Sequence, residues 1–464
     1  MTPGDPPPAP LRVAPPTFGP GTAPTGPPSA PPPSVPLTFL VAAGVGLIGL
    51  GIALASVASR AVDAPTSPRV VATVHVGLLA FLSTAVLGAL HQFAPVVGVR
   101  PLRSVPIARV TAAAWVAGAW ALPFGFAYGP SWLVPAAGAV AYTGVLLAAW
   151  NLSGPLSSRG KGTALTGLRL SVLFLVATAS FGIVYAVNRD AGWFPLLPHR
   201  VLAHAHLGLL GWLGLTYVAV AEKLWPMFLL AHRPTARSGA WAVRLLATGT
   251  VVLVPGLLFG VAPVAAVGGA LAVAGLGAHL VSLAGVLRHR RRRLELLHAF
   301  VLTAAGSMVV AVGLGAAAGL GSMSSVWRTR LVAAEVAALF GWLTLAVVGH
   351  AHKIVPFIAW GVLRGRGITK APDGRPLLFA HLYDARIARV TFVVTTAGVA
   401  GVVAGLVTAT SGIVVAGALA LSGAAVLALA NLGRGPRRVA HARAPAPPVE
   451  PSAGTIRMVA EARR

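Results

Sequence analysis

Histidine recurs at matched positions in three stretches of the chain, which align without gaps at spacings of 131 and 130 residues. The first runs from His75-Val-Gly-Leu-Leu-Ala-Phe81 to His91-Gln-Phe-Ala-Pro95. The second runs from His206-Leu-Gly-Leu-Leu-Gly-Trp212 to Glu222-Lys-Leu-Trp-Pro226. The third runs from Val336-Ala-Ala-Leu-Phe-Gly-Trp342 to His352-Lys-Ile-Val-Pro356. His91, Glu222 and His352 share the position 16 residues after the first, and a proline follows four residues later. An ionisable side chain inside a membrane helix is costly enough that a function is its default reading. Imidazoles at equivalent positions of a triplicated unit point to a metal or haem site between the repeats.

The elements that must position these residues are transmembrane helices. The chain is 56% hydrophobic and only 10% charged, with a mean hydropathy of +0.80, which places it among polytopic membrane proteins. Apolar runs of about 18 residues or more predict twelve helices, at 37–58, 70–97, 107–127, 131–151, 165–187, 199–230, 240–260, 262–287, 296–319, 331–358, 387–409 and 411–432. The repeat spans four helices, so helices 2, 6 and 10 are equivalent and run in one direction. The expected fold is an all-α bundle of about twelve helices in three pseudo-symmetric four-helix repeats. Fifty-four glycines suit close helix packing in lipid. The Pro-rich residues 1–36 read as a disordered tail, residues 37–432 as the membrane domain and residues 433–464 as a basic polar tail. Pro95, Pro226 and Pro356 are expected to end or kink their helices, and 359–386 to form the longest internal loop.

The net charge of +26 is distributed by loop. Loops after even-numbered helices are the basic ones, above all Arg288 and Arg290 to Arg293, followed by Arg364, Arg366 and Lys370. The positive-inside rule then places both termini in the cytoplasm of a multi-pass cell-membrane protein. Membrane lipid is the expected partner of these charges, and nucleic acid is not. The chain has no cysteine, which excludes disulfides, iron–sulfur clusters, thiolate-ligated haem and covalent C-x-x-C-H haem attachment.

In this topology His75, His204 and His206 form an outer layer. His91 and His352 lie 16 residues further along, about 24 Å deeper, in an inner layer with His350, His279 and His298. His75 and His206 occupy one repeat position on parallel helices, an arrangement suited to the two axial ligands of one haem. His204 and His206 point nearly opposite ways, about 200° apart, so one helix can serve two sites. The alternative for every one of these residues is interhelical hydrogen bonding, and near the inner face hydration. Glu222 and Glu335 are candidate proton-relay carboxylates, and an ion pair near the interface is the plainer reading of Glu222. Arg328 and Arg330 lie just outside the outer layer, where guanidinium suits haem propionates or simply anchors the helix.

Ala203-His204-Ala205-His206, followed by Gly208, Gly211-Trp212 and Pro226, resembles the A-H-x-H helix signature of the haem–copper oxidase subunit I superfamily. Twelve helices, three repeats and a His early in helix 2 are similar as well. The resemblance implies that His206 binds a low-spin haem with His75 on its opposite face, and that His204 binds a high-spin haem. The chain departs from the superfamily where copper is bound. The signature falls on helix 6 rather than helix 10, helix 7 has no His, and no H-x-x-x-Y spacing occurs.

The reading that follows is an oxidase-like haem protein, with b-type haem and no expected copper, serving electron transfer or redox sensing. Expected partners are a quinol or cytochrome electron donor and other membrane subunits. A working terminal oxidase or nitric-oxide reductase with an unorthodox metal site is the nearest alternative. A transporter or metal-ion permease is the alternative of a different class.

Overall fold

A computed structural model of the chain describes residues 30–231 and 236–441. Most of the proposed N-terminal tail, most of the C-terminal one, and His232 lie outside the described residues. Twelve helices are long and apolar enough to cross a membrane. They are α1 (Ser34–Ser56), α2 (Pro68–Gly98), α3 (Val105–Tyr128), α4 (Leu133–Leu156), α5 (Thr163–Ala191) and α6 (Pro198–Leu229). The second half comprises α7 (Arg237–Leu258), α8 (Ala262–Arg288), α9 (Leu296–Gly319), α10 (Ser325–Gly365), α11 (Ala385–Val407) and α12 (Ser411–His441). The expected all-α polytopic bundle of twelve helices is therefore the observed one.

α2, α6 and α10 are the most buried spans, as central helices of three units should be. Equivalent positions interlock around them. The Trp212 indole N–H donates to Ser83 Oγ at 3.0 Å. One repeat further on, Trp342 packs over Gly214, where a Cβ would come within 3.2 Å of its ring. Each tryptophan thus sits on the small residue that occupies the Ser83 position in the preceding unit. α1 packs against α12, which joins the first unit to the last.

The histidines of α2 and α6 are each followed by a π-helical segment, Val76–Ser83 after His75 and Leu207–Gly214 after His206. The two segments lie at the repeat spacing of 131 residues. α10, with Val336 in place of the histidine, remains α-helical throughout. In the first unit Thr84 closes the π segment by donating to the Leu79 carbonyl five residues back, at 2.7 Å, and it accepts from the Trp115 indole at 2.8 Å. Gly46 of α1 lies against this segment. A Cβ there would overlap the Ala80 carbonyl group, so α1 reaches the π segment only because residue 46 has no side chain.

A second repeated device orders the helix ends. The Ser104 N–H donates to Asn151 Oδ1 at 2.9 Å, and the Asp384 N–H donates to Asn431 Oδ1 at 2.7 Å, each pair 47 residues apart. In both cases the asparagine of a unit's fourth helix fixes the N-cap of its third.

The prolines behave differently from one another. Pro95 and Pro226 lie in the last turns of α2 and α6, which end in the left-handed residues Val99 (φ 52°) and Leu230 (φ 48°). α10 instead continues past Pro356 to Gly365, which shortens the expected 359–386 loop. That extension is held by Leu363, Ala371, Leu377, Leu382 and Val439, which pack together, and by the Trp360 indole donating to the Leu377 carbonyl at 2.8 Å. α12 likewise continues beyond 432, through Arg434, Arg437 and Arg438, to His441.

Gly46→Ala should destabilise the protein by about 1–3 kcal/mol through overpacking against the π segment. Gly306→Ala on α9, where a Cβ meets open space, should be neutral or stabilising by up to about 1 kcal/mol. Thermal unfolding of the two variants in the same detergent checks the difference.

Candidate functional site: two layers of buried imidazoles

In the outer layer, His75 and His206 are presented in the same way. His75 Nδ1–H donates to the Val71 carbonyl and His206 Nδ1–H to the Leu202 carbonyl, each at 2.8 Å. A carbonyl has no proton to give, so these bonds fix the proton on Nδ1 and leave Nε2 as a lone-pair donor, the state that binds a metal. Both residues are half-buried. His204 lies deep in the same region, is also half-buried, and is within electrostatic reach of His75. Its ring packs near Tyr185 of α5, with centroids 5.7 Å apart, and its Nδ1 is buried without a hydrogen-bond partner. The structure therefore brings His204 of α6 and His75 of α2 near one another.

Glu335 is half-buried on α10 one residue before the vacant repeat position. A Cβ at Gly315 would come within 2.5 Å of its Oε1, so the carboxylate lies over the bare backbone of α9. At the start of α10 Arg328 is exposed and Arg330 half-buried, with Arg330 over the Trp327 ring at 5.5 Å.

The inner layer contains a module that sequence reading did not find. His91 donates from Nδ1 to the Leu87 carbonyl, and His352 from Nδ1 to the Val348 carbonyl, each at 2.8 Å. His91 stacks on Phe39 of α1 at 5.2 Å and 20°, and His352 stacks on Phe300 of α9 at 5.8 Å and 21°. A Cβ at Gly88 would approach Phe39 Cβ to 2.5 Å, and one at Gly349 would approach Phe300 Cβ to 2.5 Å. Every member of one set is 261 residues from its counterpart. His91 and His352 are thus each stacked on a phenylalanine of their own unit, and no contact brings them together as an opposed pair. In both, Nε2 is buried and without a partner. Extending the repeat alignment outward from α2 and α10 to α1 and α9 is the signal that would have exposed the phenylalanines.

His350 also holds its proton on Nδ1, through the Ala346 carbonyl at 2.8 Å, and it lies within electrostatic reach of His298. His298 has the opposite tautomer. The Glu295 N–H donates to its Nδ1 at 2.8 Å, so the neutral ring carries its proton on Nε2 and has no free lone pair for a metal. The Nε2 atoms of His298 and His350 are both buried without a hydrogen-bond partner. Lys353 donates to Glu295 beside them at 2.6 Å.

Glu222 takes the inner repeat position on α6. It accepts from Ser282 Oγ at 2.9 Å and lies 3.7 Å from His279 Nδ1, and a Cβ at Gly239 would clash with it. His279 in turn meets the Tyr217 ring at 5.4 Å, and Tyr217 meets Trp342 at 5.3 Å. Both His279 nitrogens and the Tyr217 hydroxyl are buried without a hydrogen-bond partner, so Glu222, His279 and Tyr217 are in contact but not joined by a hydrogen-bonded chain.

Among the described residues, no group of three or more His, Asp or Glu side chains is placed to hold a metal ion. A bis-imidazole haem would need only two such ligands. A three-imidazole copper site has no donor set among these residues. No protein family's sequence profile matches the chain, and no curated protein is significantly similar to it.

Because the Gly–Phe–His geometry is duplicated, Phe39→Leu and Phe300→Leu should each cost about 1–2 kcal/mol in lost packing and stacking. The two values should agree within about 0.5 kcal/mol. Denaturation of the two variants side by side would reveal any inequality.

Proposed function

We propose that this protein is an integral membrane haem protein of the haem–copper oxidase subunit I kind, serving electron transfer or redox sensing. His75 and His206 would hold one b-type haem between α2 and α6. The observation that carries this reading is the matched presentation of the two histidines. Each is half-buried, has Nδ1 bonded to the carbonyl four residues back, which leaves Nε2 as the lone-pair nitrogen, and has a π segment immediately after it. π segments inside α-helices are frequent at functional sites.

The protein's own residues do three things in this scheme. The Val71 and Leu202 carbonyls hold the imidazoles in the metal-binding tautomer and raise their basicity. The apolar surroundings of α2 and α6 exclude water. The π segments, braced by Thr84, Trp115, Ser83 and Trp212, fix the rotation of both helices below the ligands. When bound, the haem supplies one-electron chemistry at iron.

The electrostatic proximity of His204 to His75 favours a second pairing, in which His204 rather than His206 faces His75. Redox-difference spectra of the purified protein separate the two. The wild type should show a low-spin b-type spectrum on reduction. His75→Ala should abolish it, and so should His206→Ala, while His204→Ala should keep it. Loss in His204→Ala with retention in His206→Ala selects the second pairing. A folded wild type without haem absorbance contradicts both.

A further inference from the structure

The face of the bundle nearest the outer histidines has an uneven charge distribution. Its charged residues are Arg60, Asp63, Arg69, Arg189, Asp190, Arg200, Arg328 and Arg330, six cations against two anions. All lie at the ends of α2, α5, α6 and α10 or in the link before α2. The connections α3–α4, α7–α8 and α11–α12 on this face carry no charge. The cations therefore collect above the three central helices. The three ion pairs among the described residues all lie elsewhere, so these guanidiniums are not neutralised by the protein's own carboxylates. Four of them, Arg69, Arg189, Arg200 and Arg330, rest on aromatic rings instead.

Two of those rings belong to continuous ladders. Arg189 Cζ lies 5.4 Å from the Phe126 ring centre, and Phe126 lies 5.1 Å from His75. Arg200 Cζ lies 5.6 Å from Phe194, which lies 6.0 Å from Tyr185, itself 5.7 Å from His204. Arg69, exposed like Arg189, lies over Tyr128 at 5.3 Å. Each ladder connects a guanidinium at the helix ends to a half-buried imidazole of the outer layer by rings in near contact.

We propose that this face docks an acidic, soluble one-electron donor protein, and that the electron enters through Phe126 to the haem at His75. Charge complementarity selects the partner. A field of unpaired cations over an apolar rim steers and orients an acidic surface, and the Phe126 ladder begins inside that field. The donor gives up one electron and the ferric iron becomes ferrous, with no bond made or proton moved. The electron-entry half rests on the haem reading above, whereas the docking half does not.

The chain has no cysteine, so Trp193→Cys, at a position 64% exposed on this face, accepts a single nitroxide label. In zwitterionic nanodiscs, poly-L-glutamate should immobilise the label at low salt and release it as salt screens the charges. The response should be lost in Arg69→Gln/Arg189→Gln and kept in Arg290→Gln/Arg292→Gln on the opposite face. With haem bound, Phe126→Leu should slow reduction by an anionic reductant severalfold while leaving the label response unchanged. A label blind to poly-L-glutamate, or a response indifferent to Arg69 and Arg189, overturns the docking site. A response to anionic lipid vesicles but not to poly-L-glutamate makes the face a lipid contact and also overturns it. An unchanged reduction rate in Phe126→Leu overturns the route. Absence of haem with an intact label response faults the haem reading and leaves docking standing.

Discussion

An imidazole placed in a membrane helix must satisfy at least one nitrogen without water, and here the helix itself does so. In His75, His91, His206, His350 and His352 the Nδ1–H donates to the carbonyl four residues back, each time at 2.8 Å. That single bond sets the tautomer, fixes the ring against its own helix and aims a bare Nε2 away from it. Leaving a buried donor or acceptor unmade costs about 1–3 kcal/mol. The repeated orphaning of Nε2 in His91, His350 and His352 is a standing cost that a bound group would remove. His298 shows the contrast, since a backbone N–H takes its Nδ1 and turns the ring from an acceptor into a donor at Nε2.

The outer layer differs from the inner by what surrounds it. His91 and His352 are packed face-on against phenylalanines and are nearly inaccessible. His75, His204 and His206 are only half-buried and are followed, on both α2 and α6, by π segments. A π turn accommodates an extra residue, so it shifts the phase of everything after it. The Trp212–Ser83 bond and the Trp342–Gly214 contact depend on that phase. α10 has neither the histidine nor the π segment, which ties the irregular backbone to the ligand position rather than to the repeat itself.

The twelve spans and their threefold repetition were legible in the sequence because apolar length and the recurrence of His, Trp and Pro are direct consequences of crossing a bilayer. Three features were not. The π segments leave no residue-type signature, since Val76–Ser83 reads as an ordinary apolar helix. The continuation of α10 past Pro356 and of α12 to His441 depends on the small cluster of Leu363, Leu377, Leu382 and Val439, which lies beyond the reach of hydropathy. Of the inner layer, only the histidines were visible. Phe39, Phe300, Gly88 and Gly349 lie at the same 261-residue spacing, but phenylalanine and glycine are too common in such helices to be noticed without their contacts. Tyr217 and Phe126 escaped for the same reason, as each acquires meaning only from the imidazole beside it.

The central claim is that two imidazoles of the outer layer hold one haem iron from both sides. Low-temperature electron paramagnetic resonance of the oxidised protein tests it most directly, because two strong axial nitrogen ligands leave no position for water. The account predicts a low-spin ferric signal from one haem per chain, insensitive to added cyanide or azide. A high-spin ferric signal that shifts when those ligands are added would contradict it, as would a folded protein with no ferric signal at all.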